Sequence, residues 1–135
     1  MIDNAQSFSV PIRTVSEMNA SSPGSWRPRF KRAKAHKLAV ERCAGAYLER
    51  GNITFPVVVR LTRLSAGTLD DDNLRSALKA CRDAMATWLR VDDGDTSRVR
   101  FQYAQEPCKR GQYAVNVTVI SGATLVERVE SKGAA

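Results

Sequence analysis

The chain has few of the residues that build disulfide frameworks, zinc sites or nucleotide-binding loops. Its 135 residues include three cysteines and one histidine, and no two cysteines stand at Cys-x-x-Cys spacing. An odd, unpatterned set of cysteines disfavours a disulfide scaffold and a zinc centre, and indicates reduced thiols in a cytosol. The single His36 lies among cations and is expected at the surface. The sequence also contains no glycine-rich phosphate loop and no calcium loop of the helix-loop-helix type.

Long apolar runs are absent too. None approaches the ~20 residues that a membrane-spanning helix needs, and the N-terminus has no basic stretch followed by an apolar one. The 43% of hydrophobic residues and the length of 135 are sufficient for one domain with its own core. We therefore expect a soluble, cytoplasmic protein with no membrane partner. Residues 1–135 should form a single domain in which 1–7 and 122–135 are flexible tails.

Hydrophobic periodicity predicts an α+β fold, with a single mixed β-sheet and two helices packed on it in the order β-α-β-α-β-β. The last two strands, separated by a turn at 106–111, are expected to form a hairpin. In the first helix, small residues are expected to face the core. The predicted strands are 8–12, 53–62, 98–103 and 113–119, the predicted helices are 34–50 and 72–89, and the residues of the small-residue face are Ala35, Ala39, Cys43, Ala46 and Tyr47.

Basic residues are concentrated in one stretch of the sequence. Residues 27–50 hold eight Lys and Arg against two Glu, in a chain whose net charge is +7. Basic side chains that meet phosphates release counterions, so this stretch favours nucleic-acid binding that weakens with salt. A solvated helix face is the alternative. The residues that we expect to contact DNA are Arg27, Arg29, Lys31, Arg32, Lys34, Lys37, Arg75, Arg98 and Arg100.

Acidic residues are concentrated elsewhere, at the two ends of the second predicted helix. Seven of the fourteen Asp and Glu lie in residues 68–95. Close carboxylates repel each other, so a tight cluster needs raised pKa values or a bound cation, and an all-oxygen site suits Mg²⁺. Asp70 and Asp72 are two residues apart, which in an extended segment points both side chains the same way and Asp71 elsewhere. The alternative is a helix cap at Asp71 or Asp72 and an Asp-Asp-Gly-Asp turn at 92–95.

Together these residues resemble the core of RusA-type Holliday-junction resolvases. The resemblance covers about residues 53–119. It depends on Asp70-x-Asp72-Asn73-Leu74, on a Lys and an Asp four residues apart, and on Val91-Asp92-Asp93. In the family pattern the lysine follows the asparagine by three residues. This chain has Ser76 at that position, and Lys79 stands one helical turn further along, four residues before Asp83.

The resemblance implies a homodimeric, Mg²⁺-dependent endonuclease of a bacterium, phage or prophage, for which Mn²⁺ can substitute. Such an enzyme cuts branched DNA at four-way junctions by phosphodiester hydrolysis. Asp70, Asp72 and one of the later pair, Asp93 in preference to Asp92, would be catalytic and bind the metal, and Lys79 would be the catalytic lysine. Two alternatives stay open: a non-catalytic DNA-junction-binding protein of the same fold, and a general structure-selective nuclease.

Overall fold

The structure, a computed structural model, describes residues 4–15 and 26–122, with the side chains of the first helix described from Phe30 onward. The fold class is α+β, as predicted. The described residues form a single mixed sheet of four strands and three α-helices, rather than the two helices expected. The elements are β1 (Ala5–Val10), α1 (Trp26–Tyr47), β2 (Val57–Ser65), α2 (Asp71–Ala77), α3 (Lys79–Leu89), β3 (Val99–Pro107) and β4 (Ala114–Ser121), with a short 3-10 turn at Arg50–Asn52.

The strands are ordered β1-β4-β2-β3 across the sheet. β4 is antiparallel to both of its neighbours, whereas β2 and β3 are parallel, from Val57 opposite Val99 to Ser65 opposite Pro107. The predicted hairpin between the last two strands is therefore wrong, because β2 lies between them. A parallel pair requires a crossover connection, and α2 and α3 supply it, which places β3 at an edge beside β2.

The core lies between the helices and one face of the sheet. Alternate residues of β2, Val57, Val59 and Leu61, are fully buried there with residues of α1 and α3. The face predicted for α1 is only partly confirmed. Ala39 and Cys43 are partly buried and pack against the core, whereas Ala35, Ala46 and Tyr47 are exposed. The buried positions are Val40, Ala44 and, just after the helix, Leu48. Val40 and Leu48 remove more area from water than alanine does, so they determine which side of α1 faces inward.

The helix predicted over residues 72–89 is divided at Leu78, whose backbone angles (φ −100°, ψ 4°) are not helical. The amide of Leu78 still bonds to the carbonyl of Leu74, and the amide of Arg82 to that of Leu78, so α2 leads almost directly into α3. Leu74, Leu78, Cys81, Met85 and Leu89, which follow one another at helical spacing, are all buried. Burial raises the pKa of Cys81 to about 12, so its thiol is unreactive at neutral pH.

Helix α1 begins at Trp26, eight residues before the predicted start. Lys and Arg are good helix formers, and Pro28 lies in the first turn, where proline is tolerated. Strand β1 begins at Ala5, inside the range expected to be a tail, and lies at the sheet edge. Across residues 4–15 and 26–122, no helix combines the length and the apolar character needed to cross a membrane.

Candidate functional site

A groove lies between α2–α3 and the edge strand β3. It consists of two adjoining depressions that share Arg75, Phe101, Gln102 and Tyr103 in their lining. We call it the β3 groove. Four arginines and two aspartates give it both signs of charge: Arg60, Arg75, Arg82, Arg100, Asp71 and Asp93.

The first acidic segment begins with Asp70, which caps α2. Its Oδ1 accepts hydrogen bonds from the Asn73 backbone amide (2.9 Å) and from Asn73 Nδ2 (2.8 Å). These bonds, the backbone one first, hold the pKa of Asp70 below its usual value. The expectation of a cap at Asp71 or Asp72 is therefore wrong, because Asp71 already has helical backbone geometry.

This early helix start changes which carboxylate faces the groove. Asp70 is extended and Asp71 begins α2, so the two-residue alternation expected of Asp70 and Asp72 does not apply. Asp71, which was expected to point elsewhere, lines the β3 groove, and Asp72 is exposed on the first turn of α2. The sequence signal that could have identified Asp71 is its position four residues before Arg75, on the same helix face.

Two side chains fix the loop that precedes Asp70. The amide of Gln105 on β3 accepts from the Leu69 backbone N–H (3.0 Å) and donates to the Leu69 carbonyl (2.6 Å), as a neighbouring strand would. Buried Arg63 donates to the Gly67 carbonyl (3.2 Å) and to the Thr14 hydroxyl (3.1 Å). Burial and the nearby Arg13 lower the pKa of Arg63. Side chains of β2 and β3 thus hold the loop that leads into the first acidic segment.

The second acidic segment connects α3 to β3. Asp92 Oδ1 accepts from the Gly94 amide (3.0 Å), and Asp95 Oδ1 accepts from the Ser97 amide (3.2 Å), which are the local bonds of a turn. Asp93 differs, because its Oδ2 lies 3.4 Å from Arg82 Nε and it lines the β3 groove. Of the Asp92 and Asp93 pair, Asp93 is therefore the residue placed to meet a ligand in the groove.

Lys79 does not line the β3 groove. Its Nζ lies 3.0 Å from Asp83 Oδ2, and its side chain is 75% exposed. An exposed pair at this spacing contributes only about 0.3–0.5 kcal/mol. Lys79 instead borders a separate depression beside α1, together with His36, Lys37 and Ser76. Ser76, which occupies the position of the lysine in the family pattern, does not line the β3 groove either.

The three carboxylates predicted to hold a metal do not form a ready ligand set. Within the described ranges, no group of three His, Cys, Asp or Glu side chains is close enough together to hold a metal ion. Asp70 is bonded to Asn73, and Asp93 is paired with Arg82. Asp70, Asp72 and Asp93 are therefore not brought together in this structure.

The residues predicted to contact DNA do not share one surface. Lys31 and Lys34 are exposed on α1, where Arg32 and Lys37 are half-buried; Arg27 and Arg29 belong to its first turn, outside the described side chains. Arg75 and Arg100 line the β3 groove, and Arg98 stacks on Phe55 at 4.5 Å. Sequence reasoning missed two groove arginines, Arg60 and Arg82, because an isolated arginine in a strand or on a helix flank gives no local signal.

Comparison with known proteins leaves the family open. The chain matches no protein-family model and no curated protein. The likeness to RusA-type resolvases therefore depends on the motif residues alone.

Proposed function

We propose that the protein is a metal-dependent endonuclease that binds branched DNA and resolves four-way junctions by phosphodiester hydrolysis. The observation that supports this most is the β3 groove, in which the exposed Arg75 and Arg100 accompany Asp71 and Asp93. Guanidinium groups form paired hydrogen bonds to phosphate, and fixed positive charge stabilises the charge that develops as a phosphodiester is attacked. Carboxylates beside them are suited to orienting water or binding a divalent cation.

In this proposal Arg75 and Arg100, both exposed, hold the DNA backbone along the groove. The resemblance implies that Asp70, Asp72 and Asp93 would be the catalytic carboxylates, with Mg²⁺, or Mn²⁺ in its place, as the cofactor; of the three, Asp93 lines the groove. The metal would supply charge neutralisation and an activated water. Because the carboxylates are not gathered, support for the proposal comes from the charge and lining of the groove.

The exposed lysines of α1 extend the DNA contact outside the groove. Their contribution is electrostatic and independent of sequence, and it weakens with salt. A homodimer with two-fold symmetry would present two grooves to the two like strands of a junction, so that protein and substrate share their symmetry. The place of action would be the cytoplasm of a bacterial cell.

A second candidate is a junction-binding protein without catalytic activity. Two observations favour it: the dispersed carboxylates, and Lys79, which is paired with Asp83 and does not line the groove. This candidate keeps the groove and the basic surface and differs from the first only in the absence of bond cleavage.

Incubation of the protein with synthetic four-way junctions, flaps, forks and linear duplex, each with EDTA, Mg²⁺ or Mn²⁺, tests the proposal. The endonuclease predicts metal-dependent nicks near the branch point and intact duplex. Equal cutting of flaps, forks and junctions would indicate a general structure-selective nuclease. Tight junction binding without cleavage under either metal would favour the second candidate.

A further inference from the structure

The guanidinium group of Arg82 connects three elements beside the β3 groove. It belongs to α3, donates from Nη1 to the Tyr103 hydroxyl on β3 (3.2 Å), and donates from Nη2 to the carbonyl of Asp93 (3.2 Å). It also lies over the Phe101 ring, 5.0 Å from the centroid. The planar group thus has a partner on each neighbouring element.

Asp93 meets Arg82 twice, through its carbonyl and through its carboxylate. Arg82 Nε is buried with no hydrogen-bond partner among the described residues, and the closest acid, Asp93 Oδ2, lies 3.4 Å away. A buried donor without a partner is costly, so Nε favours conformations that keep the Asp93 carboxylate next to it. A lysine at this position would supply one charge but not three donors in a fixed plane.

The loop that carries Asp93 otherwise makes short-range bonds. The amide of Asp95 bonds to the carbonyl of Asp92, and the amide of Val99 bonds to that of Asp95. Before it, Arg90 adopts a left-handed backbone (φ 61°) that ends α3 and reverses the chain. The bond from Val99 ties the end of the loop to the start of β3. The bonds from Arg82 to Asp93 and Tyr103 connect the beginning of the loop to α3 and to the middle of β3.

We infer that Arg82 is a positioning residue that holds the Asp93 carboxylate and its loop against β3, rather than an arginine that binds phosphate itself. The functional part of this inference depends on the proposed endonuclease activity. A displacement of about 1 Å in a reacting group can lower a rate by roughly 100-fold. Loss of Arg82 should therefore slow cleavage much more than it weakens DNA binding.

Arg75 provides the matched control, because it also lines the β3 groove and stacks on an aromatic ring, Tyr103 at 5.6 Å. Arg82→Gln and Arg82→Lys should both lower the single-turnover cleavage rate about 100-fold. Their junction Kd should stay within about threefold of wild type, with an unchanged salt slope. Arg75→Gln should instead weaken binding and lower the salt slope by about one. An Arg82→Gln variant that shows the binding loss of Arg75→Gln at a normal cleavage rate would overturn the inference.

A double-mutant cycle tests whether Arg82 acts through Asp93. If it does, Arg82→Gln lowers the cleavage rate little further when Asp93 is already Asn, because contacting residues in one network are not additive. Full additivity of the two losses would overturn the inference.

Hydrogen exchange of the amides of residues 91–96 supplies a readout that needs no cleavage. Exchange should rise in Arg82→Gln and stay at the wild-type level in Arg75→Gln. Faster exchange together with wild-type cleavage would contradict the functional role, and unchanged exchange would contradict the positioning role. Should the wild type cut no DNA, the proposed endonuclease fails while exchange still decides whether Arg82 holds the loop.

Discussion

At the scale of single residues, Asp70 shows how one carboxylate can serve the fold and also be a candidate for chemistry. Its depressed pKa arises from the hydrogen bonds of Asn73, so the charged form stabilises the native state. That contribution is present above the pKa of the unfolded carboxyl, about 4, and is lost as the pH falls through the lower native value. Asp70→Asn lacks this contribution, so its Tm should fall less than that of wild type as the pH is lowered from 7 to 3. Thermal melts across this pH range measure the difference. Superimposable curves would contradict this role.

The groove residues differ in how far the sequence could predict them. Asp93 was preferred to Asp92 on the resemblance to the RusA-type motif, and it lines the groove. Asp71 was misassigned because the start of α2 fell one residue earlier than expected. Arg82 could not be identified, since its role depends on Tyr103 and Asp93, which the fold brings to it. Local patterns therefore predict caps and turns, whereas contacts between elements need the folded chain.

At the scale of elements, the junction of α2 and α3 depends on Leu78, which is fully buried at the break. Leu78→Ala should lower the free energy of unfolding by about 2–5 kcal/mol, the usual cost of removing a buried leucine side chain. Leu38→Ala is the control, because Leu38 is 47% exposed on α1, and the change expected there is within about 0.5 kcal/mol. Denaturant titration measures both values. Equal losses of unfolding free energy in the two variants would show that Leu78 is not packed as described.

The β3 groove is a second element-scale feature with a quantitative expectation. Removing two phosphate contacts with Arg75→Gln/Arg100→Gln should lower the slope of log K against log salt by about 1.8. Lys109→Gln/Arg110→Gln removes the same charge from exposed positions after β3 and outside the groove lining, and should leave the slope near wild type. Fluorescence anisotropy with a labelled junction at several salt concentrations measures this. Equal slopes for the two double variants would assign the binding to net charge alone.

The helices and strands were predicted better than the pairing of the strands in the sheet. Alternation and helical spacing correctly indicated α+β with one mixed sheet, because burial of one face imposes those periods. The same alternation does not specify which strand lies beside which. The short turn between residues 98–103 and 113–119 favoured a hairpin of β3 and β4, but in the sheet β2 lies between these two strands. Strand order depends on the crossover through α2 and α3, a long-range property that no single segment contains.

At the scale of the whole molecule, the net charge of +7 and the proposed two-fold symmetry predict a defined complex with branched DNA. Two chains should bind one four-way junction. Light scattering coupled to size-exclusion chromatography, with and without junction DNA, measures this stoichiometry. A saturated complex with one chain per junction would contradict the dimeric arrangement and leave the groove of a single chain as the binding unit.

The central claim is that the β3 groove cuts DNA, and it is tested most directly by single-turnover cleavage of a four-way junction with Mg²⁺ or Mn²⁺. Wild type is compared with Asp93→Asn, in the groove, and with Asp83→Asn, which makes the same chemical change outside it. We expect wild type and Asp83→Asn to cleave the junction in a metal-dependent manner, at rates within about threefold of each other. The cleavage rate of Asp93→Asn should be lower by about 100-fold or more, while this variant binds the junction at least as tightly as wild type. No cleavage by wild type under either metal, or equal rates for the two variants, would contradict the account.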